Sequence, residues 1–365
     1  MMELMPLVIG DLKVKYPVVQ GGMGVGISLS SLAGAVAKAG GMGIISTAQI
    51  GFREADFEEN SMEANLRAME KELQSARNIA PDGCIGFNIM VATKGYEKYV
   101  RRAVEIGADI IISGAGLPTD LPKYVQDCST KIAPIVSSAK SAKVICKLWD
   151  RHYKTAPDMV VIEGPKAGGH LGFSLSQLKT ITEAEYEGEI LQILKEVKGY
   201  EVKYNKRIPV IVAGGIYDYE DVKRQMELGA DGVQVATRFV TTYECDAPMA
   251  FKEAYINSRK EDIVIVKSPV GMPGRAIFNG FLDQVARGKK ELGRCYQCLE
   301  RCDQAKIPYC ITEALVNAAN GDVDQALLFC GENAYRAEKL ELVEDVMMEL
   351  TGQKMGSRET GYSNE

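Results

Sequence analysis

The chain has 365 residues, 46% of them apolar and 25% charged, with a formal net charge of -6. This is the composition of a folded protein large enough for an α/β barrel plus an appendage, and it excludes disordered and fibrous chains. Without a dense Lys/Arg block, no nucleic-acid or membrane-surface partner is expected, and a small-molecule substrate is.

The first residues lack the apolar core of a signal peptide, and no apolar run approaches the ~18 residues of a membrane span. A cytoplasmic location is therefore expected. The nine cysteines, an odd number, do not suggest a disulfide framework.

From residue 17 to residue 240 one rhythm repeats: a β-branched run, a glycine-rich turn, then a stretch of helical period. The eight runs are YPVVQGG, GMGIIS, CIGFNIM, ADIIISG, APIVSS, DMVVIEG, IPVIVAGG and DGVQVAT. Runs apolar on both faces and separated by helices describe parallel strands under a helical cover, and eight of them predict a closed (β/α)8 TIM barrel. SAKSAKVICKLWDRHYK reads as a helix with His152 on its surface. Two connections, 49–83 and 174–207, are long and charged, and read as helical insertions able to cover a substrate.

After Arg238 the strand rhythm gives way to a mostly helical region. Asn320-Gly321 reads as a helix end, with Asp322 and Gln325 capping the next helix. The expected domains are a barrel over 1–240, a smaller C-terminal helical domain over 241–350 and a frayed tail over 351–365.

Glycines crowd the strand ends at 21, 22, 24 and 26, at 114 and 116, at 164, 168 and 169, and at 214 and 215. Side chains missing at such positions let backbone N–H groups approach a phosphate or a flat ring. The clusters behind strands seven and eight, at Gly214, Gly215, Ala236 and Thr237, lie where barrels commonly hold phosphate.

Taken together, PVVQGGMG, AGGMGIIS, GFNI, EGPKAGGHLG, IPVIVAGGI and GADGVQVATRF resemble the FMN-dependent nitronate monooxygenase family, formerly the 2-nitropropane dioxygenases. The flavin-dependent enoyl-ACP reductases share its superfamily. The similarity continues into SPVGMPGRAI and CGENAYR. The resemblance implies FMN at the C-terminal ends of the strands. Gly22, Met23 and Gly24 would lie against the isoalloxazine, Asn88 would hydrogen-bond the flavin, and Glu163 would fall near the ribityl chain. Gly168, Gly169, Gly214, Gly215, Ala236 and Thr237 would hold the phosphate, Ala236 standing where the family has glycine.

The resemblance also places His170 beside the flavin as the candidate catalytic residue. An imidazole of ordinary pKa, about 6.5, can remove a proton beside a nitro group or, when protonated, hold a nitronate. The activity implied is oxidation of alkyl nitronates with flavin and oxygen. The alternative is an enoyl reductase in which NADH or NADPH reduces the flavin. A homodimer is an assembly open to such a chain.

CYQCLERCDQAKIPYC places Cys295, Cys298, Cys302 and Cys310 in a C-x2-C-x3-C-x7-C pattern. Thiolates so spaced can converge on a metal, a [4Fe–4S] cluster ahead of zinc. The spacing is similar to that of iron–sulfur flavoenzymes of the dienoyl-CoA reductase type, whose final gap is longer.

Overall fold

The structure is a computed structural model that describes residues 4–288 and 292–353. Its first elements are β1 (Leu7–Ile9), β2 (Leu12–Val14), β3 (Val18–Gln20), α1 (Ser30–Lys38), β4 (Met42–Ser46), α2 (Ser61–Ile79) and β5 (Cys84–Met90). They are followed by α3 (Tyr96–Glu105), β6 (Ile110–Gly114), α4 (Leu121–Tyr124), β7 (Lys131–Val136), α5 (Ala139–Tyr153), β8 (Val160–Glu163) and β9 (Gly169–His170). Next come α6 (Leu175–Thr180), α7 (Glu183–Tyr204), β10 (Val210–Ala213), α8 (Tyr219–Glu227) and β11 (Gly232–Val235).

Each of the eight expected runs supplies one strand of a closed parallel barrel: β3, β4, β5, β6, β7, β8, β10 and β11. The last strand returns to the first through Val233–Val18, Gln234–Val19 and Val235–Gln20. Both strand faces are buried, as in VIVA of β10, because side chains fill the barrel on one side and helices cover it on the other. The β1–β2 hairpin buries Leu7, Ile9 and Val14 against the interior residues Val19, Met42, Ile44 and Val161.

The two long connections are not covers. Helix α2 buries Ala64, Ala68, Met69, Leu73 and Ala76 and packs on α1, while α7 buries Ile190, Ile193 and Val197 and packs on α5. Both are barrel helices whose charge is their solvent face. His152 on α5 is exposed, as expected.

The remaining elements are α9 (Thr237–Val240), α10 (Met249–Ile256), β12 (Ile263–Lys267), β13 (Pro273–Ile277), α11 (Gly280–Arg287), α12 (Ile311–Asn320), β14 (Leu328–Phe329) and α13 (Val343–Leu350). This region is less helical than expected, because β12, β13 and β14 form an antiparallel sheet that β9 joins by pairing with β13. Asp322 does not cap by its side chain. It opens a single 3-10 turn at Val323–Gln325, and Gly321 ends α12 in the left-handed region. Helix α13 returns to the barrel's outer wall against α1 and α8, tied there by the buried Arg238, which pairs with Glu341 and Glu349. The frayed tail expected over 351–365 lies, from residue 354 onward, outside the described residues.

One partly buried carboxylate joins the C-terminal region to the barrel. Asp246 accepts the backbone N–H groups of Leu29 at 2.8 Å, Leu32 at 3.1 Å and Ser31 at 3.2 Å, capping α1 from 214 or more positions away in sequence. Asp246→Ala leaves these donors without an acceptor and is expected to lower unfolding free energy by about 2–4 kcal/mol. Urea denaturation checks this, and an unchanged midpoint contradicts it.

Candidate active site

A cavity of about 250 Å³ opens at the C-terminal ends of the barrel strands. Gly22, Met23 and Gly24 line it after β3, Asn88 on β5, Glu163 on β8, then Gly168, Gly169 and His170. Gly214 and Gly215 after β10, and Ala236 and Thr237 after β11, complete that wall. Every residue expected to meet flavin therefore gathers in one place. Over them lies the C-terminal region, through Val270, Leu299, Ile311, Leu315 and Phe329.

The backbone packs closely where it lines the cavity after β3. A Cβ on Gly22 would stand 2.3 Å from Asn88 Cβ, and one on Gly24 would stand 2.6 Å from Ala48 Cβ. Glycine is thus required there by packing on β5 and the β4 loop, and the result is a wall without side chains.

After β10, Gly214 and Gly215 hold φ values of +98° and +84°. A Cβ on Gly168 would stand 2.6 Å from the backbone of Cys330, because the loop after β14 crosses here. That loop is fixed by three bonds: Gly331 N–H donates to Thr237 Oγ1 at 2.9 Å, Asn333 Nδ2 to Gly215 O at 2.8 Å, and Glu332 N–H to Lys166 O at 3.2 Å. The amides of Gly215 and Thr237 meet no protein acceptor among the described residues. Ala236 faces Gly21, whose missing side chain leaves room for the methyl group. A glycine-lined cradle with unbonded amides, and Lys166 on its rim, fits a phosphate.

His170 owes its place to a reversal of the chain. After β8 the sequence GPKAGG turns back, Gly169 takes φ +68°, and β9 pairs with β13 so that His170 lies opposite Gly274. Its Nε2 is 2.7 Å from Ser268 Oγ, and its ring stands edge-on to Phe329 with centroids 4.9 Å apart. Burial pulls its pKa down from 6.5 to about 4, so the imidazole is neutral at pH 7. Glu163 is perturbed the other way. Burial pushes its carboxyl up to about 7 although Gly172 N–H donates to Oε2 at 2.9 Å.

Sequence reasoning assigned no role to Ser268, Lys166 or the 330–333 loop. SPVGMPGRAI and CGENAYR were signals of kinship without a chemical role, because the contacts that give them one span 94 to 118 positions. Cys295, Cys298, Cys302 and Cys310 line a second, smaller pocket, and Cys298 lines the large cavity as well. No three of the described His, Cys, Asp or Glu side chains are placed to share one metal ion.

The sequence model named nitronate monooxygenase matches residues 6–353. The chain belongs to the nitronate monooxygenase family. These are FMN-dependent oxidoreductases. A probable nitronate monooxygenase of Staphylococcus saprophyticus is 28% identical, covering 78% of this chain and 81% of the relative. One from Staphylococcus aureus (strain Newman) is 26% identical, covering 76% and 79%. Among solved structures, FabK from Thermotoga maritima superposes with TM-score 0.70 at 23% identity, covering 93% of this chain and 92% of that one. The nitroalkane oxidase of Streptomyces ansochromogenes gives TM-score 0.67 at 19% identity, covering 93% and 96%. Both agree with the barrel fold of this family member. No helix among its described residues is long and apolar enough to cross a membrane.

Proposed function

We propose that this protein oxidises alkyl nitronates and their parent nitroalkanes with FMN and oxygen, and that His170 is its base. The observation that carries this is a neutral imidazole in the cavity wall, 2.7 Å from a serine hydroxyl. When Nε2–H donates to Ser268 Oγ, Nδ1 keeps a free lone pair, the tautomer a base needs. His170 then takes the proton from the carbon beside the nitro group, and the C–H electron pair moves to the nitro group to give the nitronate. The resulting imidazolium and nitronate stabilise one another in a water-poor site. A protonated His170 waiting for substrate, the other role considered from sequence, does not suit a group held neutral by burial.

Bound FMN supplies the redox chemistry, accepting electrons from the nitronate and passing them to oxygen. The chain's part is binding and orientation. Gly22, Met23 and Gly24 lie against the ring system, with Asn88 as a hydrogen-bond partner. Glu163, titrating near neutrality, can donate to or accept from a ribityl hydroxyl. Gly168, Gly169, Gly214, Gly215, Ala236 and Thr237 receive the phosphate, with Lys166 as its cation. The apolar roof of Ile311, Leu315 and Phe329 suits an alkyl chain and excludes water.

The test is oxygen uptake with nitrite release on addition of an alkyl nitronate. Absence of both with flavin-replete protein contradicts the proposal. The same apolar roof would suit an acyl chain, so a reductase using NADH or NADPH is the competing activity.

With a nitroalkane, kcat/KM is expected to stay level as pH falls through 6.5 and to drop only near pH 4, where His170 protonates. A half-maximum at 6.5 would place His170 in ordinary solvent. Ser268→Ala is expected to lower kcat about tenfold with little change in KM, because the ring loses its orientation and not its substrate contacts. Steady-state kinetics decide this, and an unchanged kcat removes Ser268 from the arrangement.

A further inference from the structure

We propose that Cys295, Cys298, Cys302 and Cys310 hold a [4Fe–4S] cluster on the wall of the flavin cavity. Four of the nine cysteines lie between positions 295 and 310, three of them in the run C-x2-C-x3-C. The fold wraps all four around one small pocket, with the fourth, Cys310, at the N-cap of α12.

A hydrogen-bond donor already points at one of the sulfurs: Gln297 N–H donates to Cys295 Sγ at 3.4 Å. A neutral thiol is a weak acceptor and makes little use of such donors, whereas a metal-bound thiolate uses them fully.

The four thiols stand around a pocket and do not converge on one point. Zinc needs four sulfurs at about 2.3 Å from one point. The described residues include no three ligands converging in that way. A cubane takes each thiolate on a different iron, so its ligands stand farther apart around a shared space. Cys298 lines both pockets, which puts the cluster and the flavin on opposite sides of one wall.

The experiment is anaerobic purification of the full-length protein from iron-replete cells, with iron, acid-labile sulfide, zinc and flavin assayed separately and electron paramagnetic resonance recorded after dithionite reduction. About four iron and about four sulfide per chain are expected, together with the signal of a reduced cubane. In Cys295→Ser/Cys302→Ser, at two exposed positions, iron and sulfide should be lost while flavin content stays at the wild-type level. Cys128→Ser, exposed and outside the set, should keep all three. Zinc in place of iron, no metal after reconstitution with ferrous iron and sulfide, or a full iron complement in the double variant each overturns the proposal.

Discussion

Replacing His170 with alanine is expected to leave flavin content unchanged and to lower turnover of a nitroalkane by about 10²- to 10⁴-fold, the usual contribution of a positioned base. Flavin should stay because the residues proposed to bind it are others: the imidazole stands on β9, in contact with Ser268 and Phe329. A preformed nitronate needs no proton removed, so the same variant should lose less activity with nitronate than with nitroalkane. Steady-state rates with both forms of one substrate separate the roles. An equal loss with the two makes His170 a binding group, and no loss with either removes it from the reaction.

Gly214→Ala is the second large effect, and it falls on the cofactor. At φ +98° a side chain is strained by about 1–3 kcal/mol, and its Cβ would stand 2.9 Å from the Ala167 amide nitrogen. Strand β10 ends at Ala213, so the barrel should hold and the strain should displace the turn. Tenfold in affinity corresponds to ~1.4 kcal/mol, so FMN is expected to bind about tenfold or more weakly. Riboflavin, which has no phosphate, should lose less. Fluorescence titration of apoprotein with both ligands reads the difference, and equal losses mean that the turn does not hold the phosphate.

The barrel strands were legible because a strand buried on both faces is apolar throughout, as VIVA is. The N-terminal hairpin was missed although Gly10-Asp11 marks its turn, since strands of three residues carry almost no periodicity. The long charged connections misled for another reason: α2 and α7 show their charge to solvent and bury a narrow stripe, and charge count alone does not tell a cover from a barrel helix.

The site was half legible. Glycine clusters and His170 stand at strand ends, where local sequence marks them. Their partners do not. Ser268 meets His170 only because a two-residue strand pairs with β13, and the 330–333 loop reaches the Thr237 cradle only after the chain has left the barrel and folded back over it. Pairings across about a hundred positions leave no spacing pattern to read.

The flavin is proposed to take its electrons from a nitronate. Anaerobic mixing of flavin-replete protein with an alkyl nitronate, with NADH and with NADPH, followed by flavin absorbance, tests it most directly. Rapid bleaching by the nitronate and slow or no bleaching by either nicotinamide is the expected result. Rapid bleaching by NADH or NADPH, with the nitronate inert, would contradict the account and make the protein a reductase.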